Sequence, residues 1–216
     1  MKTKADISAT MPETIPASAV GLNTFENKLG LREQDDPEFF REWQTDLPEI
    51  GNWEKQSCDR VRAGYFNLLK HPPVLENAVR LTVLHPLLFV ANFYVAPLHV
   101  KPEKTVSLNL QDEDGTTVEG RIDALVLQDQ LWLLVIEAKQ AGIAIEAGIA
   151  QLLSHLLASP ISEQPSYGMI TNGGYFQFAK VVPGAAPQYA LSDVFVLRRS
   201  SNELYRVVQI MKKLGG

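Results

Sequence analysis

An acidic and a basic residue stand together at the end of a long apolar run. The six residues Leu131 to Ile136 are all apolar, and Glu137-Ala138-Lys139 follows them directly. Such a run indicates a central strand that is covered on both faces. Because side chains alternate along a strand, Glu137 and Lys139 share one face. A carboxylate in this position is costly to desolvate unless it is paired or bound to a metal.

A second carboxylate, Asp123, stands on the preceding predicted strand, 118–127. We expect a three-residue hairpin loop, 128–130, which places Arg121 opposite Glu137. Asp123 and Glu137 are then diagonal neighbours on one face, with Cα atoms about 7–8 Å apart. Carboxylates at that separation can share one cation. A loop of two or four residues would put them on opposite faces.

These residue types suit metal-assisted hydrolysis of a phosphodiester. Mg²⁺ prefers hard oxygen ligands, usually a few carboxylates together with water. The ion polarises the phosphate and lowers the pKa of a water that attacks phosphorus. Lys139 would position or help to deprotonate that water and offset the charge that develops on the phosphate. The sequence therefore predicts a divalent-metal phosphodiesterase site built from Asp123, Glu137 and Lys139.

The spacing of these residues resembles the motif of the PD-(D/E)XK nucleases. Thirteen residues separate Asp123 from Glu137-Ala138-Lys139, and Ile122 stands where the name of the motif has proline. More specifically, residues 75–181 are similar to the N-terminal nuclease domain of the restriction (R) subunit of type I restriction enzymes. The further matches to that family, in chain order, are Glu76-Asn77-Ala78-Val79-Arg80, His85-Pro86-Leu87-Leu88, Gln151 of a Gln-x-x-x-Tyr helix motif, and Thr171-Asn172-Gly173.

The resemblance implies a fold, a site and partners. It implies an α/β fold with a restriction-endonuclease-like core, in which helices flank a central mixed β-sheet. Asp123, Glu137 and Glu76 would bind Mg²⁺ or Mn²⁺, Lys139 would assist the attacking water, and Gln151 would orient groups near the site. DNA would be the substrate, and other restriction-system subunits possible partners. No Gly-x-x-x-x-Gly-Lys-Ser/Thr sequence is present, so we expect no ATP-driven helicase motor.

Simpler interpretations remain open for the two central carboxylates. Glu137 and Lys139 could form a solvated strand end. Asp123 could pair with Arg121, Lys139 or Lys180 and have only a structural role.

The other site residues have alternatives as well. Glu76 could be an exposed acid in the first turn of a helix, and Glu54 and Asp59 are rival acids on the preceding helix. Gln151 could form a plain polar surface pair with His155, which takes the tyrosine position of the family motif. The alternative function is a non-catalytic module that keeps the nuclease fold and binds a partner protein or nucleic acid.

Periodicity predicts helices followed by strands, a helix, more strands and a final helix. The predicted helices are 38–43, 52–69, a segment from 75 to 94 with a kink or restart at Pro86, 145–159 and 202–214; the predicted strands are 105–110, 118–127, 131–139, 167–171, 175–182 and 194–197, with a turn at 112–115. We expect residues 1–36 to be a disordered tail, 37–71 a helical extension and 72–216 the nuclease-like domain.

Composition limits the class of protein. The chain has 216 residues, 45% of them hydrophobic, and no apolar run of the roughly 20 residues that a membrane helix needs. A single cysteine excludes an internal disulfide and fits a cytoplasmic protein. The net charge of −5 argues against strong non-specific binding to nucleic acid, because that affinity comes largely from Lys and Arg.

Overall fold

A computed structural model describes residues 13–110, 115–160 and 163–215. Its strands are β1 (Thr14–Pro16), β2 (Arg32–Glu33), β3 (Leu98–Asn109), β4 (Thr117–Gln128), β5 (Leu131–Ala138), β6 (Ser166–Thr171), β7 (Tyr175–Val182), β8 (Gln188–Leu191) and β9 (Phe195–Val196). The helices are α1 (Leu22–Leu29), α2 (Asn52–Leu68), α3 (Glu76–Val79), α4 (His85–Val90), α5 (Ile149–Leu157) and α6 (Leu204–Leu214). A π-helical turn, Arg80–Leu84, joins α3 to α4, and short 3-10 helices span Ala17–Ala19 and Ile145–Gly148.

The strands form one mixed sheet in the order β1-β4-β5-β6-β7-β8-β2, with β3 paired to β4 and β9 paired to β7. The central pair, β5 and β6, is parallel, and α5 lies between these two strands in the chain. The pairs β4–β5 and β6–β7 are antiparallel. The fold is therefore α/β, with a mixed central sheet flanked by helices.

Each face of the sheet is covered by its own apolar layer. On the first, here called the α2 face, residues of α2, the α3–α4 segment and α6 pack against Ala124, Val126, Leu134 and Ile136. On the second, the α5 face, α1 and α5 pack against Leu125, Leu127, Trp132 and Val135. Burial on both faces is why the β5 sequence is apolar without alternation.

The alternation of β4 breaks at Asp123. Ile122 packs on the α5 face and Ala124 on the α2 face, although two residues that are two apart normally share a face. The paired strand β3 changes face over the same stretch, around Glu103, which has a positive φ of 52°. Asp123 also lies between the part of β4 that pairs with β1 and the part that pairs with β5. This break lets its carboxylate reach groups that a regular strand would hold apart.

The hairpin between β4 and β5 differs from the expected one. Gln128 pairs with Leu131, so the loop has two residues rather than three. The pairing shifts between Leu127 and Val126, where a β-bulge adds one residue to β5, and Ala124 then pairs with Ile136. Continued by one residue, this register sets Asp123 directly opposite Glu137 instead of diagonal to it. The bulge offsets the two-residue loop in the register, but the break in β4 turns Asp123 toward Arg80 on the α2 face, whereas Glu137 contacts Gln151 of α5, so the two side chains are not on one face as expected.

The expectation of a disordered tail over residues 1–36 is wrong for residues 13–36. Strand β1 pairs in parallel with β4, and β2 pairs in parallel with β8. Phe25 of α1 is fully buried and Leu31 is 2% exposed. These elements are short and pair with residues far along the chain, so they leave no local periodicity. Residues 1–12 lie outside the described residues, as do residues 112–114 of the expected turn.

Other elements differ in smaller ways. Residues 38–43 form turns rather than a helix. Strand β3 begins at Leu98 instead of residue 105, β8 was not predicted, and the first turn of the helix expected from residue 145 is 3-10. Cys58 and Val61 of helix α2 are buried in the α2 face, in the same apolar layer as residues of α6 and of the sheet. Among the helices in the described ranges, none is long and apolar enough to cross a membrane.

Candidate active site

Glu137 is a buried carboxylate at the end of β5. It is 2% exposed, so the interpretation as a solvated strand end is wrong for this residue. Its Oε1 accepts a 3.0 Å hydrogen bond from Lys139 Nζ and another from Gln151 Nε2. A buried carboxylate needs such partners, because the loss of water would otherwise strongly disfavour its charge.

Lys139 and Gln151 form the second side of this cluster. Lys139 Nζ donates to Gln151 Oε1 at 2.6 Å, so the lysine bridges the strand end and the first turn of α5. The close approach depends on Gly148, because a Cβ there would lie only 2.7 Å from Lys139 Cε. Glu137, Lys139 and Gln151 are thus brought together as the sequence predicted.

His155 lies deeper on the same helix. It is 1% exposed, so the interpretation of Gln151 and His155 as a polar surface pair is wrong. His155 Nδ1 is 3.5 Å from Glu137 Oε2, and among the described residues neither that oxygen nor either ring nitrogen of His155 has a hydrogen-bond partner. The ring packs against the backbone of Gly120. Buried polar atoms without partners are uncommon and often mark functional sites.

Asp123 has different partners from those considered in the sequence. Its Oδ1 contacts Arg80 Nη2, and its Oδ2 accepts a 2.6 Å hydrogen bond from the Ala138 backbone N–H. Burial, followed by the nearby charge of Glu137, raises the pKa of Asp123 to about 7, although the Ala138 N–H and Arg80 act in the opposite direction. The charges of Asp123 and Glu137 therefore interact, although the side chains that contact them come from different helical segments.

The three basic residues considered as ion-pair partners of Asp123 lie beside other acids. Arg121 lies 3.7 Å from Glu103, and Lys180 pairs with Glu42 at 2.6 Å. Lys139 pairs with Glu137.

Glu76 reaches the site through Arg80. It begins α3, and its Oε1 accepts a 2.8 Å hydrogen bond from Arg80 Nη2, the same nitrogen that contacts Asp123. Its side chain is 42% exposed. The rival acids are elsewhere: Glu54 pairs with Lys212, and Asp59 accepts hydrogen bonds from Asn202 and Tyr205.

Arg80 is the site residue that sequence reasoning missed. The signal was its position four residues after Glu76, which predicts an ion pair on one helix face. Nothing local indicates that Asp123, which is 43 residues further on, completes the contact. The close packing of His155 against Gly120 was equally invisible in the sequence, because it depends on how α5 crosses β4.

The carboxylate oxygens at this site are ligands of the type that divalent cations prefer. Asp123 and Glu137 offer hard oxygen ligands, and Glu137 Oε2 has no hydrogen-bond partner in the described part of the chain. Within the described residues, no group of three or more His, Cys, Asp or Glu side chains is arranged to hold an ion. Glu76 would join the other two acids only after a rearrangement at Arg80.

A comparison of the chain with models of protein families and with curated proteins found no match. The functional assignment therefore depends on the geometry and chemistry of the site.

Proposed function

We propose that this chain is a divalent-metal-dependent nuclease of the PD-(D/E)XK type, which hydrolyses phosphodiester bonds in DNA. The observation that carries the proposal is the pair of buried carboxylates, Asp123 and Glu137, with Lys139 hydrogen-bonded to Glu137. Isolated like charges are costly to bury together. A site that binds a cation gives a reason to keep them.

The architecture supports the same proposal. A mixed sheet flanked by helices carries Asp123 within β4 and Glu137 near the end of the paired strand β5, and α5 follows β5 and supplies Gln151. We infer a restriction-endonuclease-like core similar to the nuclease domain of type I restriction R subunits. Other subunits of such a system would be its protein partners.

In the proposed mechanism, Asp123 and Glu137 hold Mg²⁺ or Mn²⁺, with Glu76 as an auxiliary acid. When bound there, the cation supplies Lewis-acid activation of the phosphate and of the attacking water. Asp123 must lose its proton to act as a ligand, which its pKa of about 7 allows at neutral pH.

Lys139 and Gln151 act on the other reactants. The Lys139 side chain is 18% exposed, so its ammonium can orient a water and place positive charge beside the phosphate. Gln151 holds Lys139 through its Oε1 and Glu137 through its Nε2, which fixes the separation of the two groups. It is a positioning residue in this scheme.

A specific observation favours the second candidate, a non-catalytic module that keeps the fold. Asp123 and Glu137 already have their own cations, Arg80 and Lys139. The net charge of −5 also disfavours tight binding to DNA by the chain alone. Such a module would bind a partner and would have no hydrolytic activity.

Plasmid nicking separates the two functions. Supercoiled plasmid is incubated with Mg²⁺ or Mn²⁺ and with wild type, Lys139→Ala, or the matched control Lys55→Ala, whose side chain is exposed on α2. The nuclease proposal predicts nicking by wild type and Lys55→Ala, a loss of at least about 100-fold in Lys139→Ala, which is typical of a removed acid–base group, and none in EDTA. Equal rates in wild type and Lys139→Ala would favour the binding module.

A further inference from the structure

Arg80 is the cation that the structure places among the acids of the candidate active site. Its Nη2 contacts Asp123 Oδ1 and lies 2.8 Å from Glu76 Oε1, while Nη1 is 3.6 Å from Glu103 Oε1. A single guanidinium thus faces three carboxylates. Two of them, Asp123 and Glu76, are the acids expected to bind the metal.

The guanidinium provides the charge that Asp123 needs in the ion-free protein. Asp123 is 8% exposed, and a carboxylate buried to that extent is costly unless a positive charge lies beside it. In the described part of the chain, Arg80 is the one side chain that forms an ion pair with it. Lys139 cannot serve both acids, because its ammonium is bound to Glu137 and Gln151.

The position of Arg80 is compatible with release. Its Nε is buried without a hydrogen-bond partner, so the guanidinium is held mainly through its two terminal nitrogens. Glu76 and Glu103, with side chains 42% and 54% exposed, lie between the site and solvent. Arg80 is also the first residue of the π-helical turn, a distortion that is frequent at functional sites. The long side chain can move toward the exposed acids without a change in the sheet.

We propose that Arg80 is an internal competitor of the divalent cation. The guanidinium and the cation neutralise the same carboxylate, Asp123, and compete for Oδ1, because Oδ2 accepts the hydrogen bond from the Ala138 N–H. Metal binding therefore requires exchange: the ion takes Asp123, and Arg80 withdraws toward Glu103. This inference rests on the proposed metal site and adds a determinant of how tightly that site binds its ion.

The test is a calorimetric titration of the full chain with Mn²⁺. Arg80→Gln removes the charge and keeps a polar side chain, and we expect its Kd for Mn²⁺ to fall by about tenfold, which corresponds to about 1.4 kcal/mol. Arg121→Gln is the matched control, because Arg121 lies near the same Glu103 but is 59% exposed and is not paired with Asp123. Its Kd should equal that of wild type.

The outcomes separate this inference from the proposed function. Binding by wild type with an equal or weaker affinity in Arg80→Gln would overturn the competition and leave the metal site intact. No binding by either protein would overturn both. Binding by Arg80→Gln alone would support the competition strongly.

A second measurement covers the case in which Arg80→Gln does not fold. Mg²⁺ is added to wild-type protein with isotope-labelled arginine, and the side-chain Nε–H signals are followed by NMR. The Arg80 signal should shift with saturation, while the signal of Arg41, which pairs with Glu38, stays in place. An Arg80 signal that does not change while Mg²⁺ binds would overturn the competition.

Discussion

The Asp123 carboxylate accepts a 2.6 Å hydrogen bond from the backbone N–H of Ala138, the middle residue of Glu137-Ala138-Lys139. This bond ties Asp123 of β4 to the strand end that carries Glu137 and Lys139. It also uses one oxygen of Asp123 and leaves the other for a cation, which is Arg80 in this structure. The separation of the two carboxylates is therefore fixed by backbone geometry.

The first prediction concerns pH. The pKa of Asp123 is raised from 3.8 to about 7, chiefly by burial and then by Glu137. A raised pKa means that the folded protein holds a proton that the unfolded chain has released. In EDTA, this contribution to stability is fully present below about pH 4 and is lost as the pH rises toward 7, at up to about 1.4 kcal/mol per pH unit.

Denaturant unfolding of wild type and Asp123→Asn from pH 4 to pH 8 measures this contribution. Relative to wild type, Asp123→Asn should become progressively more stable as the pH rises. Asp59→Asn is the control, because hydrogen bonds from Asn202 and Tyr205 lower the pKa of Asp59 instead, so it should not alter the slope between pH 5 and 7. Parallel curves for wild type and Asp123→Asn would show that Asp123 titrates normally.

The second prediction concerns the metal. An ion that binds only the folded state stabilises it by RT ln(1 + [L]/Kd), which is about 1.4 kcal/mol at ten times Kd. Mn²⁺ should therefore raise the Tm of wild type by a few degrees. The shift should vanish in Asp123→Asn and Glu137→Gln and persist in Lys139→Ala, because the lysine is not a ligand. Equal shifts in wild type and both carboxamide variants would place the ion elsewhere.

The sequence predicts that three of the site residues lie together, but it does not predict the hairpin that joins β4 to β5. Glu137, Lys139 and Gln151 lie close together in the structure, because strand alternation and the start of the next helix are local features. The hairpin could not be predicted, because the two-residue loop and the β-bulge between Val126 and Leu127 compensate each other. Neither feature leaves a distinct signature in the sequence.

Contacts between distant parts of the chain account for the remaining differences. Strand β1 has three residues and exists because it pairs with β4 about 100 positions later. Arg80 meets Asp123 only because the strand alternation breaks there and turns the acid toward the helices of the α2 face. Such pairings depend on the assembled sheet, because the two partners are far apart in the sequence and no local pattern includes both.

The third prediction tests the close packing of α5 on β4. A Cβ at Gly120 would lie 2.8 Å from Ala17 Cβ and would overlap the His155 ring. Gly120→Ala should therefore destabilise the protein by about 1–3 kcal/mol, the usual cost of overpacking. Gly64→Ala is the matched control, because its Cβ would meet Thr82 Cγ2 at an ordinary 3.5 Å.

The control substitution lies within helix α2, where alanine is favoured over glycine by about 0.5–1 kcal/mol. The two variants should thus change the free energy of unfolding in opposite directions. A neutral Gly120→Ala would mean that His155 does not occupy the position that brings it to Glu137.

The fourth prediction tests whether residues 13–36 belong to the folded domain. Phe25 is fully buried on the α5 face, so Phe25→Ala should cost about 3–5 kcal/mol in denaturant unfolding. Phe89, which is 60% exposed and contacts Trp53 edge to face, is the matched control. Phe89→Ala should cost less than about 1.5 kcal/mol. Similar small losses in both variants would restore the interpretation of this segment as a tail.

The most direct test of the proposed metal site is anomalous diffraction from crystals soaked in Mn²⁺ near pH 8, where Asp123 is deprotonated. The proposal predicts an anomalous peak about 2 Å from a carboxylate oxygen of both Asp123 and Glu137. Crystals of Glu137→Gln treated in the same way should lack that peak. Peaks only at other positions, or no peak at saturating Mn²⁺ with Arg80 still bound to Asp123, would contradict a metal-dependent nuclease site here.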